Sequence, residues 1–334
     1  MTDTVIELAE KFKTALSRND LAAQRRLITA YRGLWATIKE KVDNLILEIS
    51  MLEEPTPAQI QRLKRYGILL DGIRDELTRY QAFTQIEMST AAREAIRLGE
   101  GNARILVAAS LGDTAIAAKL TRINPVAIEK LLGFLTPEGA LFKRLEKLAG
   151  VTAERVANAI VEGVGLGKNP KDIARAITKQ IGMALTDSMR MTRTVQLWSY
   201  REANRASYLA NDDVVKGWIW FADTTNACPA CMAMHGTEHG LDESLDDHFN
   251  GGCAELPLVI GAKNDIPSGE SVFSQLSEAE QKARLGADKW QAWQDGKFSF
   301  DQLATQHSDE VYGHMRSETP LWELLGAEPP VRTR

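Results

Sequence analysis

Cysteine is scarce. The chain has three in 334 residues, and all of them fall inside CPACMAMHGTEHGLDESLDDHFNGGC, residues 228–253, with three of the five histidines. Three thiols cannot all pair within one chain, which excludes a scaffold built on disulfides. Long apolar runs are also missing, since none reaches the roughly 18–20 residues that a membrane-spanning helix needs. No membrane partner is therefore expected. The opening MTDTVIELAEKFKTALSRND is charged and amphipathic, without the apolar core of a signal peptide. Net charge is only −5, so no global attraction to nucleic acid exists, although a local patch remains open. Internal repeats, low-complexity tracts, a Gly-x-Ser-x-Gly elbow and a phosphate-loop pattern are all absent. These gaps lead to the expectation of a cytosolic chain of two modest domains, or one with helical arms, whose thiols are reduced or held by a metal.

The dominant pattern is helical. Leu27, Tyr31, Leu34, Ile38, Val42, Leu45 and Leu52 recur at spacings of three, four and seven. A second stripe follows in Leu63, Tyr66, Leu70, Ile73, Leu77 and Tyr80. Each keeps one helix face apolar, and Pro55 and Pro57 place the turn between them at 53–58. A long helical hairpin is predicted. Residues 86–165 read as shorter helices punctuated by Gly101, Gly112, INPVA and LTPEGA. Next, Gly163, Gly165 and Gly167 close one helix, and Asn169 caps another with Pro170 at its first turn. That helix, over 170–181, should bury Ile173, Ile177 and Ile181. A further helix follows it.

Over 168–205 there are eight Lys/Arg against three Asp/Glu. Lys171, Arg175, Lys179 and Arg193 are candidates for contact with a phosphate backbone such as DNA, or with an acidic partner; the alternative is a solvated face. At VVKGWIWFAD the character changes. Trp218 and Trp220 alternate with Ile219 and Phe221, the period of a strand, and CAELPLVIG reads as a second strand. Beyond about 258 small helices are expected, with capping boxes at Ser277/Glu280 and Ser299/Gln302.

The cysteine-rich excursion therefore lies between two strands. Its spacing is C-x2-C, sixteen residues, then H-x4-C: Cys228, Cys231, His248 and Cys253. Two thiolates separated by two residues can face one tetrahedral ion, and the later pair can close it. Four protein ligands make such a zinc structural rather than catalytic, and metal binding would help to fold a polar, glycine-rich loop. A metal-free loop with reduced thiols stays open. So does a hydrolase built on HGTEH, with His235 and His239 as ligands and Glu238 as base, although Gly236 and Gly240 do not suit the stiff helix it needs. From Gly217 to Ala262 there are seven Asp/Glu and no Lys or Arg. This excursion is thus expected to meet protein rather than phosphate.

The order of these features resembles the phage head-morphogenesis family, the Mu F-like minor head proteins. The resemblance covers roughly 85–257, with a further echo in the tail at 285–303. The family pattern is Arg-Thr-Glu, then W…D…C-x2-C…G…H-P-x-C-R-C…P. Arg193 and Thr194 match its start, with Val195 in place of glutamate. Trp218 or Trp220, Asp223, Cys228, Cys231 and Gly236 match the middle. His248, Cys253 and Pro257 match the end, with Phe249 where proline is usual and Gly251 at the first cysteine of C-R-C. What the resemblance implies is a non-enzymatic minor capsid protein, made in the bacterial host cytoplasm and carried in the virion in few copies. It would bind the portal protein and other head proteins at the portal vertex, and would assist head assembly, DNA packaging or ejection. Together with the helical periodicity, this gives an expected fold that is mainly α: a helical hairpin arm over 1–85, then a head-morphogenesis-like domain over 86–257. That domain would be helical over 86–210, with a β element bearing the Cys/His zinc-knuckle-like loop over 211–257. A helical tail would follow over 258–334.

Overall fold

The computed structural model describes residues 4–132, 140–309 and 313–329. Helix α1 (Val5–Ser50) has no proline and a single glycine, so its hydrogen-bond ladder runs uninterrupted. The chain turns where the two prolines place it. Thr56 and Gln59 then form a reciprocal capping box on the short α2 (Pro57–Arg62), which leads into α3 (Lys64–Ser110). Both predicted seams close. Leu27, Leu34, Ile38, Val42 and Leu45 share one buried core with Leu70, Ile73, Leu77 and Tyr80, and Tyr31, Leu52, Leu63 and Tyr66 pack at its margin.

Helix α3 is longer than the punctuated pattern predicts. It passes through Gly99 and Gly101 and stops near Gly112, where φ is +75°. A single interior glycine costs only about 1 kcal/mol, less than the apolar face around it contributes. After a 3-10 turn (Thr114–Ala118) come α4 (Pro125–Leu132), α5 (Ala140–Gly165) and α6 (Pro170–Leu209). The interruption expected at LTPEGA lies outside the described residues except for Ala140. At the α5–α6 junction Gly167 takes φ +64°, and the Asn169 side chain accepts the Asp172 N–H at 3.0 Å. Helix α6 runs unbroken through Gly182 for 40 residues, where two helices were expected. Ile173, Ile177 and Ile181 enter the same core as the hairpin seams.

The chain divides into two compact units, and these are not the three consecutive segments expected. One comprises Ser17–Ala92 and Gly133–Gln196; the other comprises Met1–Leu16, Arg93–Leu132 and Leu197–Arg334. The physical reason is continuity, because α1, α3 and α6 each begin in one unit and end in the other. The first unit is a helical bundle around the core just described.

The second unit is built on a three-stranded antiparallel sheet. Its strands are β1 (Val215–Phe221), β2 (Glu238–His239) and β3 (Ala254–Val259), in the order β2-β1-β3. Both predicted strands are therefore present, paired Trp218 to Pro257 and Trp220 to Glu255. Trp218 and Trp220 point into a core with Tyr208, Ala103 and Val107. Ile219, Phe221, Leu256 and Leu258 cover the other face with Ala9 and Leu106, and Val5, Leu8 and Phe12 pack on them. Each tryptophan is almost fully buried, worth about 4–6 kcal/mol of removed apolar surface. In the same unit Gly99 lets α3 and α6 touch, since a Cβ there would stand 2.5 Å from the Tyr200 carbonyl oxygen.

Between β1 and β2 lies α7 (Pro229–Met234). The C-terminal segment forms α8 (Gly269–Ser274), α9 (Glu278–Leu285) and α10 (Ala287–Gln294). The boxes Ser277/Glu280 and Ser299/Gln302 are both formed. A helical tail is not the whole of it. After a 3-10 turn (Phe300–Leu303) comes a hairpin of β4 (Ala304–Asp309) and β5 (Gly313–Glu318), then α11 (Leu321–Leu324). Its strands, ATQHSD and GHMRSE, fully bury only Met315, so they carry no period-two contrast to read.

Candidate metal centre

Cys228 stands at the start of α7 because Pro229 fixes the first helical φ and the Cys228 sulfur accepts the Cys231 N–H at 3.4 Å. One turn later Cys231 is buried beside it. His248 comes back from the loop before β3, with its Nε2 3.3 Å from each of the two sulfurs. Its Nδ1 lies 2.9 Å from the Phe249 carbonyl oxygen. A carbonyl only accepts, so Nδ1 carries a proton, and Nε2 is the nitrogen that faces the thiols. Cys228, Cys231 and His248 thus form a cluster able to hold a metal ion, with ligand atoms all within 4.8 Å of one another. Ligand sulfurs on one tetrahedral zinc stand about 3.8 Å apart, from Zn–S bonds of about 2.3 Å. The donor set of two sulfurs and one imidazole fits a soft or borderline ion.

Cys253 falls in a second, overlapping cluster with Cys231 and Asp247, again within 4.8 Å. The four residues picked out by spacing therefore arrive as two triads that share Cys231. Asp247 is the residue the spacing did not reveal. Its Oδ1 accepts the His248 N–H at 2.8 Å and the Cys231 S–H at 3.3 Å. Its Oδ2 accepts the Cys253 N–H at 3.1 Å and the Arg201 guanidinium at 2.7 Å. Arg201, reaching down from α6, also donates to the carbonyls of Cys253 at 3.0 Å and Gly251 at 2.8 Å. Both charged groups are buried, the side chains 7% and 1% exposed. One ion pair thus ties the whole His248–Cys253 loop to α6. Gly251 belongs to the same design: a Cβ there would lie 2.1 Å from the Asp247 carboxylate. The next acid, Asp246, is held from the C-terminal hairpin by Arg316 at 2.8 Å and Gln306 at 2.6 Å.

Charge inside the cluster is strongly shared. The Cys228 thiol is drawn down to about 4, first by the hydrogen bond from Cys231 and then by His248. His248 is pushed up to about 9, chiefly by its bond with Cys228 and then by the Asp247 charge. Cys231 is driven up, first by its contact with the Cys228 sulfur and then by Cys253 and burial. Burial works to raise Asp247, but the Arg201 and His248 charges hold it below the usual carboxylate range. Cys228 and His248 are in effect a thiolate–imidazolium pair that a metal can replace. Two kinds of chemistry follow: soft-metal ligation and thiolate nucleophilicity.

The other candidate residues are placed differently. His235 ends α7, and its buried Nδ1 accepts the Ala222 N–H at 3.1 Å. Gly236 then turns the chain at φ +83°. Glu238 is exposed on β2 with Asn264 donating to it at 2.9 Å, and the His239 ring stacks 4.2 Å from Trp218. The helix that an HxxEH ligand pair requires is thus replaced by a turn and a strand. Among the described residues, His235, Glu238 and His239 belong to neither metal-ligating group. Lys171, Arg175 and Lys179 are exposed along α6 in the bundle unit. Arg175 pairs with Asp172 at 2.9 Å, and Arg193 is engaged by the buried Asp20 at 2.6 Å.

Arg201 had one signal in the sequence. It falls in the stripe Leu197, Arg201, Asn204, Tyr208, a helix face otherwise suited to burial. When the chain is compared with known family models, curated proteins and solved structures, none of the three matches it.

Proposed function

We propose that this chain is a non-enzymatic assembly protein, a minor head protein of a tailed phage or prophage that binds the portal protein at the capsid vertex. The observation that carries the reading is the knuckle: Cys228, Cys231 and His248 gathered on one loop system between β1 and β3. The order of strand, C-x2-C, glycine, histidine, cysteine and proline is the pattern in which the head-morphogenesis resemblance lies. In this reading the ion is zinc, held by Cys228, Cys231, His248 and Cys253 with Asp247 and Arg201 behind them. Its role is structural, because four protein ligands leave no open position for a substrate. The acidic surface of the knuckle suits a protein partner, and the two long helices of the bundle suit packing against other head proteins.

The test is native mass spectrometry of the chain co-expressed with the portal protein of its own phage genome. A complex with one zinc per copy, and loss of that zinc in Cys253→Ser, is the expected result. Absence of any portal complex sinks the vertex role. Zinc that persists in Cys253→Ser but vanishes in His239→Ala would move the reading to a hydrolase at HGTEH. Retention on DNA that falls steeply with added salt, and is lost when Lys171, Arg175 and Lys179 are replaced, would instead favour a DNA-binding role.

A further inference from the structure

Resting on the metal reading above, we infer that the centre is also a redox site: a peroxide joins Cys228 to Cys231 as a disulfide, and the metal leaves. Three features carry this. The Cys228 and Cys231 sulfurs are within 4.8 Å of each other, close enough for a side-chain rotation to bring them to bonding distance, about 2.05 Å. Their exposure differs: Cys228 is half-buried, while Cys231 and Cys253 are buried. An oxidant arriving from solvent therefore meets Cys228 first and leaves Cys231 behind it as the resolving thiol. Finally, the loop has an anchor besides its thiols. Asp247 is gripped by Arg201 and by the Cys253 N–H, and Arg201 binds two carbonyls of the same loop. Losing the metal therefore loosens the loop without freeing it from α6, and the change is reversible.

The chemistry balances in two steps. The Cys228 thiolate attacks one oxygen of hydrogen peroxide and breaks the O–O bond. This gives a sulfenic acid and hydroxide, which takes a proton to become water. The Cys231 thiolate then attacks the Cys228 sulfur, forms the S–S bond and expels a second hydroxide, protonated in turn. In total, two thiolates, one peroxide and two protons give one disulfide and two waters. The peroxide takes up the two electrons. With two of its sulfur ligands joined, the ion keeps only His248 and Cys253 and is lost to solvent.

The experiment uses the full chain loaded with zinc, with the zinc content measured before oxidation. Hydrogen peroxide is added, released zinc is read with a chromogenic chelator, and remaining thiols are alkylated and located by mass spectrometry. The expected result is one zinc released per chain and a single alkylated cysteine, Cys253, with both changes reversed by dithiothreitol and fresh zinc. In Cys228→Ser, which lacks both a zinc ligand and the accessible thiol, Cys231 and Cys253 should both still alkylate after peroxide. The proposal is overturned if zinc leaves while all three thiols still alkylate, if Cys231 pairs with Cys253, or if peroxide releases nothing. A chain that carries no zinc at the outset sinks the metal reading instead, and the alkylation pattern then reports on the disulfide alone. Should Cys228→Ser fail to fold, the wild-type alkylation pattern decides.

Discussion

Arg201 and Asp247 show how much of the knuckle rests on one ion pair. Removing one partner of a buried pair leaves the other charged with nothing to answer it. Arg201→Met should therefore cost about 3–5 kcal/mol in denaturant unfolding and weaken zinc binding, since the His248–Cys253 loop loses its anchor. A loss below about 1 kcal/mol would show that the pair is not what holds the loop. Gly251→Ala should cost about 1–3 kcal/mol by overpacking, because its Cβ would press on the Asp247 carboxylate. A variant as stable as the parent would show that the Asp247 carboxylate moves aside at no cost. At this scale the ligands were legible and their support was not. C-x2-C and a following histidine declare themselves by spacing, a property of the chain. Asp247 and Arg201 meet across 46 residues, a property of the packing.

Among the elements, the two seams of the helical hairpin and the two main strands could be read directly, because burial there follows the periods of 3.6 and 2. The continuity of α3 and α6 could not, since a glycine inside a stripe reads as a break until tertiary contacts outweigh its cost. Hairpin β4–β5 escaped for the opposite reason: it buries too little to leave a pattern. Two predictions belong here. Asn169→Ala, which removes the cap of α6, should lower stability by about 1 kcal/mol, measured by urea unfolding; no change would mean that the cap is dispensable. Tyr80 is buried in the bundle, and burial pushes its phenol up from 10.0 to about 12. Because the folded value lies above the unfolded one, the stabilisation is complete below pH 10 and is lost as pH rises toward 12. The loss amounts to about 2–3 kcal/mol. Tyr80→Phe should flatten this alkaline decline in a melting-temperature series, and an unchanged slope would assign the decline to other groups.

For the whole molecule, the sites of stabilisation are unevenly divided. The bundle unit draws on a mostly aliphatic core of five helices, whereas the sheet unit contains every cysteine. Chelation should therefore raise amide hydrogen exchange over residues 222–259 and leave residues 27–80 of the bundle unaltered. A uniform rise in both would contradict a local structural role for the metal. The sheet unit has a consequence for synthesis as well. The first turns of α1 present Val5, Leu8, Ala9 and Phe12 to Ile219, Phe221, Leu256 and Leu258. A ribosome working at about 5–20 residues per second delivers those partners roughly 10–50 s later. For that interval the nascent chain displays an apolar stripe whose native cover has not been translated. Its earliest helix must either wait on a chaperone or be shielded by whatever the growing polypeptide can offer, and a transcript broken before codon 215 would leave that stripe permanently bare.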